Sequence, residues 1–361
     1  MGSDNFDTAL GDNRDMSNLF TFRHLRLFFT GVTFVAIMIG AFVIGIDKSP
    51  ISEAGVLSVK GLDGRGVPSA MSNATVIPAN RVAGVTIALI DHAKTSVLLE
   101  MYELGNPSIV AALEAAHHRK VLVRVVSDPE ESQSQSSDIT LKQDGIMVRK
   151  LAVPGGIDHV KLLVVDDSRV LIGGVNLGYA SSYTADADVE LTGLSARDAT
   201  TIFNQDWSAA IHSNSAASGI YGPFVTGSAI EPTMLSVIAN AAGRCIILAN
   251  YLSDYSIQDA LVAAEHRGVK VTAVLNPTAY GEASASSWLR RGGVQVVLAP
   301  EEPYLHAKIL ACGGEAMIGS ANFSFDGMSV NHELDVVLKG EAADKLTAFA
   351  NQIEQADSKP R

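Results

Sequence analysis

The chain has 361 residues, 47% of them apolar and 18% charged, with 31 glycines, 12 prolines and two cysteines. That composition excludes a disordered chain, a collagen-like fibre and a disulfide-stapled mini-domain, and the length allows two domains. A formal net charge of −12 excludes the broad basic field on which non-specific nucleic-acid binding depends.

Residues 1–22, rich in Asp, Asn and Ser, read as a disordered cytoplasmic tail. Leu27 to Ile46 is a 20-residue apolar run without a charge, long enough to cross a hydrocarbon core. Arg23 and Arg26 precede it and Asp47 and Lys48 follow. Residues 23–48 therefore read as a transmembrane signal-anchor helix, with the remainder of the chain extracytoplasmic. Ser52-Glu53-Ala54 supports the alternative of a secreted chain whose signal is cleaved, but the apolar run is longer than a signal's and begins later. Residues 49–78 read as a linker.

Beyond the linker the chain passes twice through one pattern. An apolar strand (Val97 to Tyr102, and Ile246 to Tyr251) leads to a helical stretch ending in basic residues (Ile109 to Lys120, and Ile257 to Lys270). A strand running to a proline follows (Val121 to Pro129, and Val271 to Pro277), then a Gly turn and another strand (Asp144 to Val148, and Gly292 to Val296). Alternation of strand and helix predicts βαβ units and a mostly parallel sheet in each half. The Ser/Ala/Gly-rich stretch from Ser213 to Gly222 marks the boundary, giving domains at 79–213 and 214–361.

Each half then presents the same short motif. His159-Val160-Lys161 is followed by Gly173-Gly174-Val175-Asn176, and His306-Ala307-Lys308 by Gly319-Ser320-Ala321-Asn322. Residues two apart on a strand share a face, so each copy offers an imidazole and an ammonium together. Two such sets would surround one anionic group with two histidines and two lysines. An acidic stretch closes each half, Asp188-Val189-Glu190 and His332-Glu333-Leu334-Asp335.

These residues resemble the phospholipase D superfamily, whose signature is His-x-Lys, four residues, Asp, then Gly-Ser-x-Asn. The resemblance covers Val76 to Phe349. It implies two homologous α/β domains with the active site at their pseudo-twofold interface, and a ping-pong reaction. In that reaction one histidine attacks phosphorus to form a phosphohistidine and the other protonates the leaving alkoxide, with His159 as nucleophile and His306 as acid. Lys161, Lys308, Asn176 and Asn322 would hold the non-bridging oxygens, where negative charge gathers; Gly174 and Ser320 would line the substrate. Glu190 and Glu333 are the candidates for holding the histidine rings. Two departures stand out. The motif Asp is kept in the first half as Asp166, which joins the catalytic candidates, but is Gly313 in the second, and the motif Ser is Gly174 in the first half.

No Asp/Glu/His group has metal-ligand spacing, so no cofactor or metal is expected and chelators should leave activity intact. Cys245 and Cys312 could form one disulfide, but their apolar setting reads as two buried thiols. His332 is expected near the site rather than in it. With an acidic surface and a membrane tether, a phospholipid is the expected substrate, cleaved or transferred at the phosphatidyl group. A membrane-anchored single-strand nuclease and a catalytically inactive phosphate-ester-binding module are the alternatives. One chain should suffice for activity, because both motifs lie in it.

Overall fold

The computed structural model describes residues 74–212 and 215–357. The expected tail, signal-anchor helix and most of the linker lie outside the described residues. Among the described residues no helix is long and apolar enough to cross a membrane.

The first half runs β1 (Thr75–Pro78), α1 (Ala79–His92), β2 (Ser96–Met101), α2 (Pro107–His118), β3 (Leu122–Ser127), α3 (Ser132–Gln143), β4 (Met147–Lys150), β5 (Lys161–Val165), β6 (Arg169–Gly173), β7 (Thr184–Ala185), β8 (Ala187–Thr192) and α4 (Leu194–His212). The second runs β9 (Gly219–Tyr221), β10 (Phe224–Thr226), α5 (Ile230–Ala239), β11 (Arg244–Ala249), α6 (Tyr255–His266), β12 (Lys270–Leu275), α7 (Glu282–Arg291), β13 (Gln295–Leu298), β14 (Tyr304–Leu305), β15 (Lys308–Cys312), β16 (Glu315–Gly319), α8 (Phe325–Ser329), β17 (Leu334–Lys339) and α9 (Glu341–Asp357). Local chemistry sets several boundaries. Asn106 caps α2 by accepting the Ser108 N–H, with Pro107 at the first helical position, and Asp254 caps α6 through the Ile257 N–H.

The two sheets have the orders β1-β8-β6-β5-β2-β3-β4 and β13-β12-β11-β15-β16-β17-β10-β9. They are mixed, which corrects the expectation of mostly parallel sheets. Only β2-β3-β4 and β11-β12-β13 are parallel, where a helical crossover separates successive strands. The motif strands reverse direction instead, because tight turns join β5 to β6 and β15 to β16, and only antiparallel neighbours accept such a turn. Asp166 and Asp167 turn the first at φ 54° and 48°, and Gly313 and Gly314 turn the second at 58° and 92°. The left-handed backbone explains why glycine can replace aspartate there.

The same turn removes Asp166 from the list of catalytic candidates. Its carboxylate accepts the backbone N–H groups of Lys94, Thr95 and Ser96 and the Thr95 hydroxyl. It ties the α1–β2 loop to the β5–β6 hairpin. Burial raises its pKa, but these donors outweigh that and hold the carboxyl below its ordinary value.

Thr75–Pro78, read from sequence as linker, is an edge strand paired with β8. Cys245 and Cys312 stand opposite each other in the β11–β15 pair and form a disulfide. Two free thiols were expected; register across the sheet, which sequence alone does not display, brings them face to face.

Three apolar cores organise the halves. One packs α1, α2 and α3 on the first sheet, through Ile90, Ile109, Leu113 and Leu141. A second packs α5, α6 and α7 on the other, through Ile238, Ile257, Leu261 and Leu289. The third is shared: Leu162, Ile172 and Val189 of the first half meet Ile309, Ile318 and Val336 of the second, with Phe203 of α4 and Leu346 of α9. Burying both inner faces in one core fixes the halves against each other, and the motif strands β5 and β15 lie in that shared layer.

Candidate active site

Each histidine motif begins where its strand enters the shared core, and there the halves exchange backbone hydrogen bonds. The His159 N–H donates to the His332 carbonyl and the His332 N–H to the Ile157 carbonyl, both at 2.9 Å. On the other side β14 pairs in parallel with β7, and the N–H groups of His306 and Ala307 both reach the Ala185 carbonyl at 3.2 Å. Each histidine is therefore placed beside the acidic segment of the opposite half.

The consequence is a crossed pair of histidine–acid contacts. His159 Nδ1 lies 2.9 and 3.0 Å from the two carboxylate oxygens of Glu333. His306 Nδ1 lies 2.8 Å from Asp186 Oδ2. An Nδ1–H donated to a carboxylate leaves the lone pair on Nε2. That is the tautomer a nitrogen nucleophile needs.

Glu333 thus contacts a histidine ring. Glu190 does not: its carboxylate pairs with Arg169, which corrects the expectation. Asp186 makes such a contact and was missed. The signal was present, since Asp186 follows His159 by 27 residues (159 to 186) and Glu333 follows His306 by the same 27 (306 to 333). Aligning the acidic clusters by appearance set Glu190 against Glu333 instead. The true partner of Asp335 is Asp188; they accept the Ala321 and Val175 N–H groups at 3.1 and 3.0 Å.

The two lysines lie near enough to feel each other's charge. Lys161 and Lys308 are 2% and 1% exposed, and each ammonium donates to the carbonyl of its own motif histidine at 2.6 Å. Lys308 Nζ also lies 3.1 Å from the His306 ring nitrogens. Tyr102 stands edge-on to His159, with ring centroids 5.1 Å apart, and its ring lies 5.4 Å from Lys161 Nζ. Neither Tyr102 nor Tyr304, which is near His306, was singled out from sequence.

Asn176 and Asn322 follow β6 and β16. Asn176 Nδ2 donates to Glu103 Oε2 at 3.2 Å, and the side-chain oxygen of each asparagine has no hydrogen-bond partner among the described residues. Gly174 and Ser320 lie against the two acids. A Cβ at Gly174 would come within 2.6 Å of the Asp186 carboxylate, so glycine makes room for that acid. The Ser320 hydroxyl accepts the Leu334 N–H at 2.9 Å and lies beside Glu333, helping to hold its carboxyl ionised.

Burial sets the protonation states. It lowers the His159 pKa, with Glu333 partly opposing, and takes His306 down to about 4, aided by the Lys308 charge. Both rings are neutral at neutral pH. Burial also resists ionisation of Glu333, but His159 and Lys161 outweigh it and hold that carboxyl below its ordinary value. Burial brings Lys161 down to about 7 and Lys308 to about 8, against the opposing pull of Glu333 and Asp186.

Those lysine values make a testable consequence. Only the ammonium form attracts an anion, so sulfate, whose charge is constant in this range, should bind less tightly as pH rises from 7 to 9. The loss should reach up to about tenfold per pH unit for each titrating lysine, with proton uptake on binding at pH 8. Calorimetry in buffers of different ionisation enthalpy reads both quantities. A flat affinity would show that neither lysine loses its proton between pH 7 and 9.

Two like α/β halves, each supplying a His-x-Lys pair and each lending an acid to the other's histidine, define a duplicated two-histidine site with a cationic floor. The family description "Cardiolipin synthase, PLD-like domain" matches the chain twice, over residues 86–207 and 234–356, and the chain belongs to this family of the phospholipase D superfamily. A cardiolipin synthase of Clostridium perfringens (strain SM101 / Type A) is 26% identical over 227 residues, 52% of this chain and 47% of that protein. The match thus spans about half the length of that relative. Two solved structures share the fold at a TM-score of 0.60 over 79% of this chain. They are a phosphatidylserine synthase of Haemophilus influenzae Rd KW20 (15% identity, 86% of that chain) and a polyphosphate kinase of Porphyromonas gingivalis (14% identity, 48% of that chain).

Proposed function

We propose that this chain is a membrane-anchored phosphodiesterase of the phospholipase D type that cleaves or transfers phosphatidyl groups through a phosphohistidine. The observation that carries the proposal is the crossed pairing of two neutral histidines with buried acids above two lysines. His159 Nε2 attacks phosphorus and forms the P–N bond. The P–O bond to the leaving group breaks, and His306, protonated on Nε2 as the anion enters, gives its proton to the departing alkoxide. His306, now neutral, then takes a proton from water or an acceptor alcohol as that oxygen attacks phosphorus and the P–N bond breaks. Dividing one displacement into two easier ones is the benefit of covalent catalysis. Lys161 and Lys308 neutralise the non-bridging oxygens throughout, with Asn176 and Asn322 as further hydrogen-bonding groups.

Several observations favour lipid as substrate. The matched family and the clostridial relative bear the name of a lipid synthase. A helix at 23–48 would hold the site beside headgroups at high effective concentration. The Cys245–Cys312 disulfide fits an oxidising, extracytoplasmic compartment, and the net charge of −12 opposes a long polyanion. The test offers the full chain, in detergent, mixed micelles of phosphatidylglycerol together with end-labelled single-stranded DNA. The expected products are phosphatidic acid, or cardiolipin where a second phosphatidylglycerol is the acceptor. DNA shortening with untouched lipid would place the protein among nucleases, and no turnover of either would leave a binding module.

A further inference from the structure

Directly behind His159 lies a second set of ionisable groups that this chemistry does not use. Glu100 ends the apolar run of β2, Asp206 lies in α4, and His332 precedes Glu333 in the second half. One donor atom from each lies within 4.8 Å of the other two. His332 Nε2 is 3.1 Å from Asp206 Oδ2 and 3.7 Å from Glu100 Oε1. Exposure is 0% for Glu100, 0% for Asp206 and 4% for His332.

The His332–Asp206 ion pair leaves most of the acidic oxygens without a well-formed hydrogen bond. Both Glu100 oxygens, Asp206 Oδ2 and His332 Nε2 have no hydrogen-bond partner among the described residues. Asp158 adds two more unpartnered carboxylate oxygens; it is wholly buried, bridges to His332 and lies beside Glu100. His332 can balance one of these acids through its contact with Asp206; buried carboxylates left without compensation cost several kcal/mol each, so the others need a balance.

The fold does not require polar groups here, as its own duplicate demonstrates. Register against the motif lysines sets Glu100 equivalent to Leu248. The backbone bonds at the two histidines set His332 equivalent to Ala185. Asp158 and Leu305 each immediately precede the motif histidine. One side of the pseudo-twofold is apolar at three positions where the other carries two acids and a histidine.

We propose that Glu100, Asp206 and His332 form a buried site for one divalent transition-metal cation. Two carboxylates balance a dication, and a mixed imidazole–carboxylate set suits Zn²⁺. Tetrahedral donors at about 2.0–2.1 Å from zinc stand about 3.3–3.4 Å apart, and the two separations at His332 Nε2, 3.1 and 3.7 Å, bracket that spacing. All three donors are buried and none belongs to the catalytic set, so the cation is structural. It joins β2 and α4 of the first half to the His332 segment of the second, immediately behind the His159–Glu333 pair. Access at such burial comes with folding rather than from the finished surface.

The test is metal analysis of the full chain, purified in detergent through a tag that binds no metal. Mass spectrometry of the elements should find close to one zinc, or another d-block ion, per chain. Glu100→Gln and His332→Asn should each lose it, while His159→Ala keeps it. The unmodified chain provides a second reading that is independent of how the variants fold. Refolded after chelation, it should gain about 5–10 °C in Tm when Zn²⁺ is added at a hundred times its Kd. A metal-free protein whose Tm is unmoved by Zn²⁺, Mn²⁺ or Ni²⁺ would overturn the proposal and leave a shared proton as the compensating charge. Metal retained in both Glu100→Gln and His332→Asn, or lost in His159→Ala, would overturn it as well, the latter by placing the ion in the catalytic cleft.

Discussion

Replacing His159 by alanine is expected to lower turnover of a phospholipid diester by about 10⁴-fold or more, because the nucleophile of a covalent route has no substitute. His306→Ala should lose a similar factor on that substrate, since an alkoxide leaves poorly without a proton. A p-nitrophenyl phosphodiester separates the two roles, because p-nitrophenolate departs unassisted. His306→Ala should then release a burst of one nitrophenol per chain and stall, with an acid-labile, alkali-stable phosphoryl label on His159. His159→Ala should show neither burst nor label. The reverse pattern, a burst in His159→Ala and none in His306→Ala, would assign the attack to His306. The physical reason for choosing His159 is its environment. Both oxygens of Glu333 orient its Nδ1, whereas the His306 ring nitrogens have the Lys308 ammonium at 3.1 Å.

The second large effect concerns the acids. Glu333→Gln keeps the size of the side chain but lets an amide N–H face Nδ1, which favours the tautomer with its proton on Nε2 and so removes the attacking lone pair. A loss of about 10³–10⁴-fold in kcat is expected, equivalent to about 4–5.5 kcal/mol, with KM little changed. Asp186→Asn should behave similarly through His306. Glu190→Gln should stay within about twofold of the parent enzyme, because Glu190 pairs with Arg169 and with neither histidine. Melting curves and KM separate misfolding from a tautomer effect. If Glu333→Gln folds normally and retains full kcat, Glu333 is not a positioning residue. If Glu190→Gln fails instead, the crossed pairing is wrong.

Much of this site was legible because the signal is local. His159 and Lys161, like His306 and Lys308, sit two apart at the start of a strand, so one backbone conformation guarantees that they face together. Repetition then separated the motif from chance. The acids were harder. Asp186 sits 27 residues beyond His159, across a hairpin and a loop, and its proper alignment depended on counting from the histidine rather than matching acidic runs. A similar slip paired Tyr102 with Tyr251, whereas the backbone bonds to Val160 and Ala307 place Tyr102 opposite Asn250. Asp166 misled for another reason. Its spacing from His159 belongs to a hairpin turn, and its carboxylate is consumed by the backbone of residues 94–96.

By itself the sequence determined the duplication, the two α/β halves, the histidines and lysines of the site, and the superfamily to which they belong. Each of these depends on patterns spanning a few residues or on the recurrence of such a pattern. Tertiary structure alone decided which acid holds which histidine, that Cys245 meets Cys312, and that Glu100, Asp206 and His332 converge. Those partners are contributed by different strands, helices and halves. Their meeting depends on sheet register and on the apolar core shared by the two halves, and neither is encoded in the spacing of the residues involved.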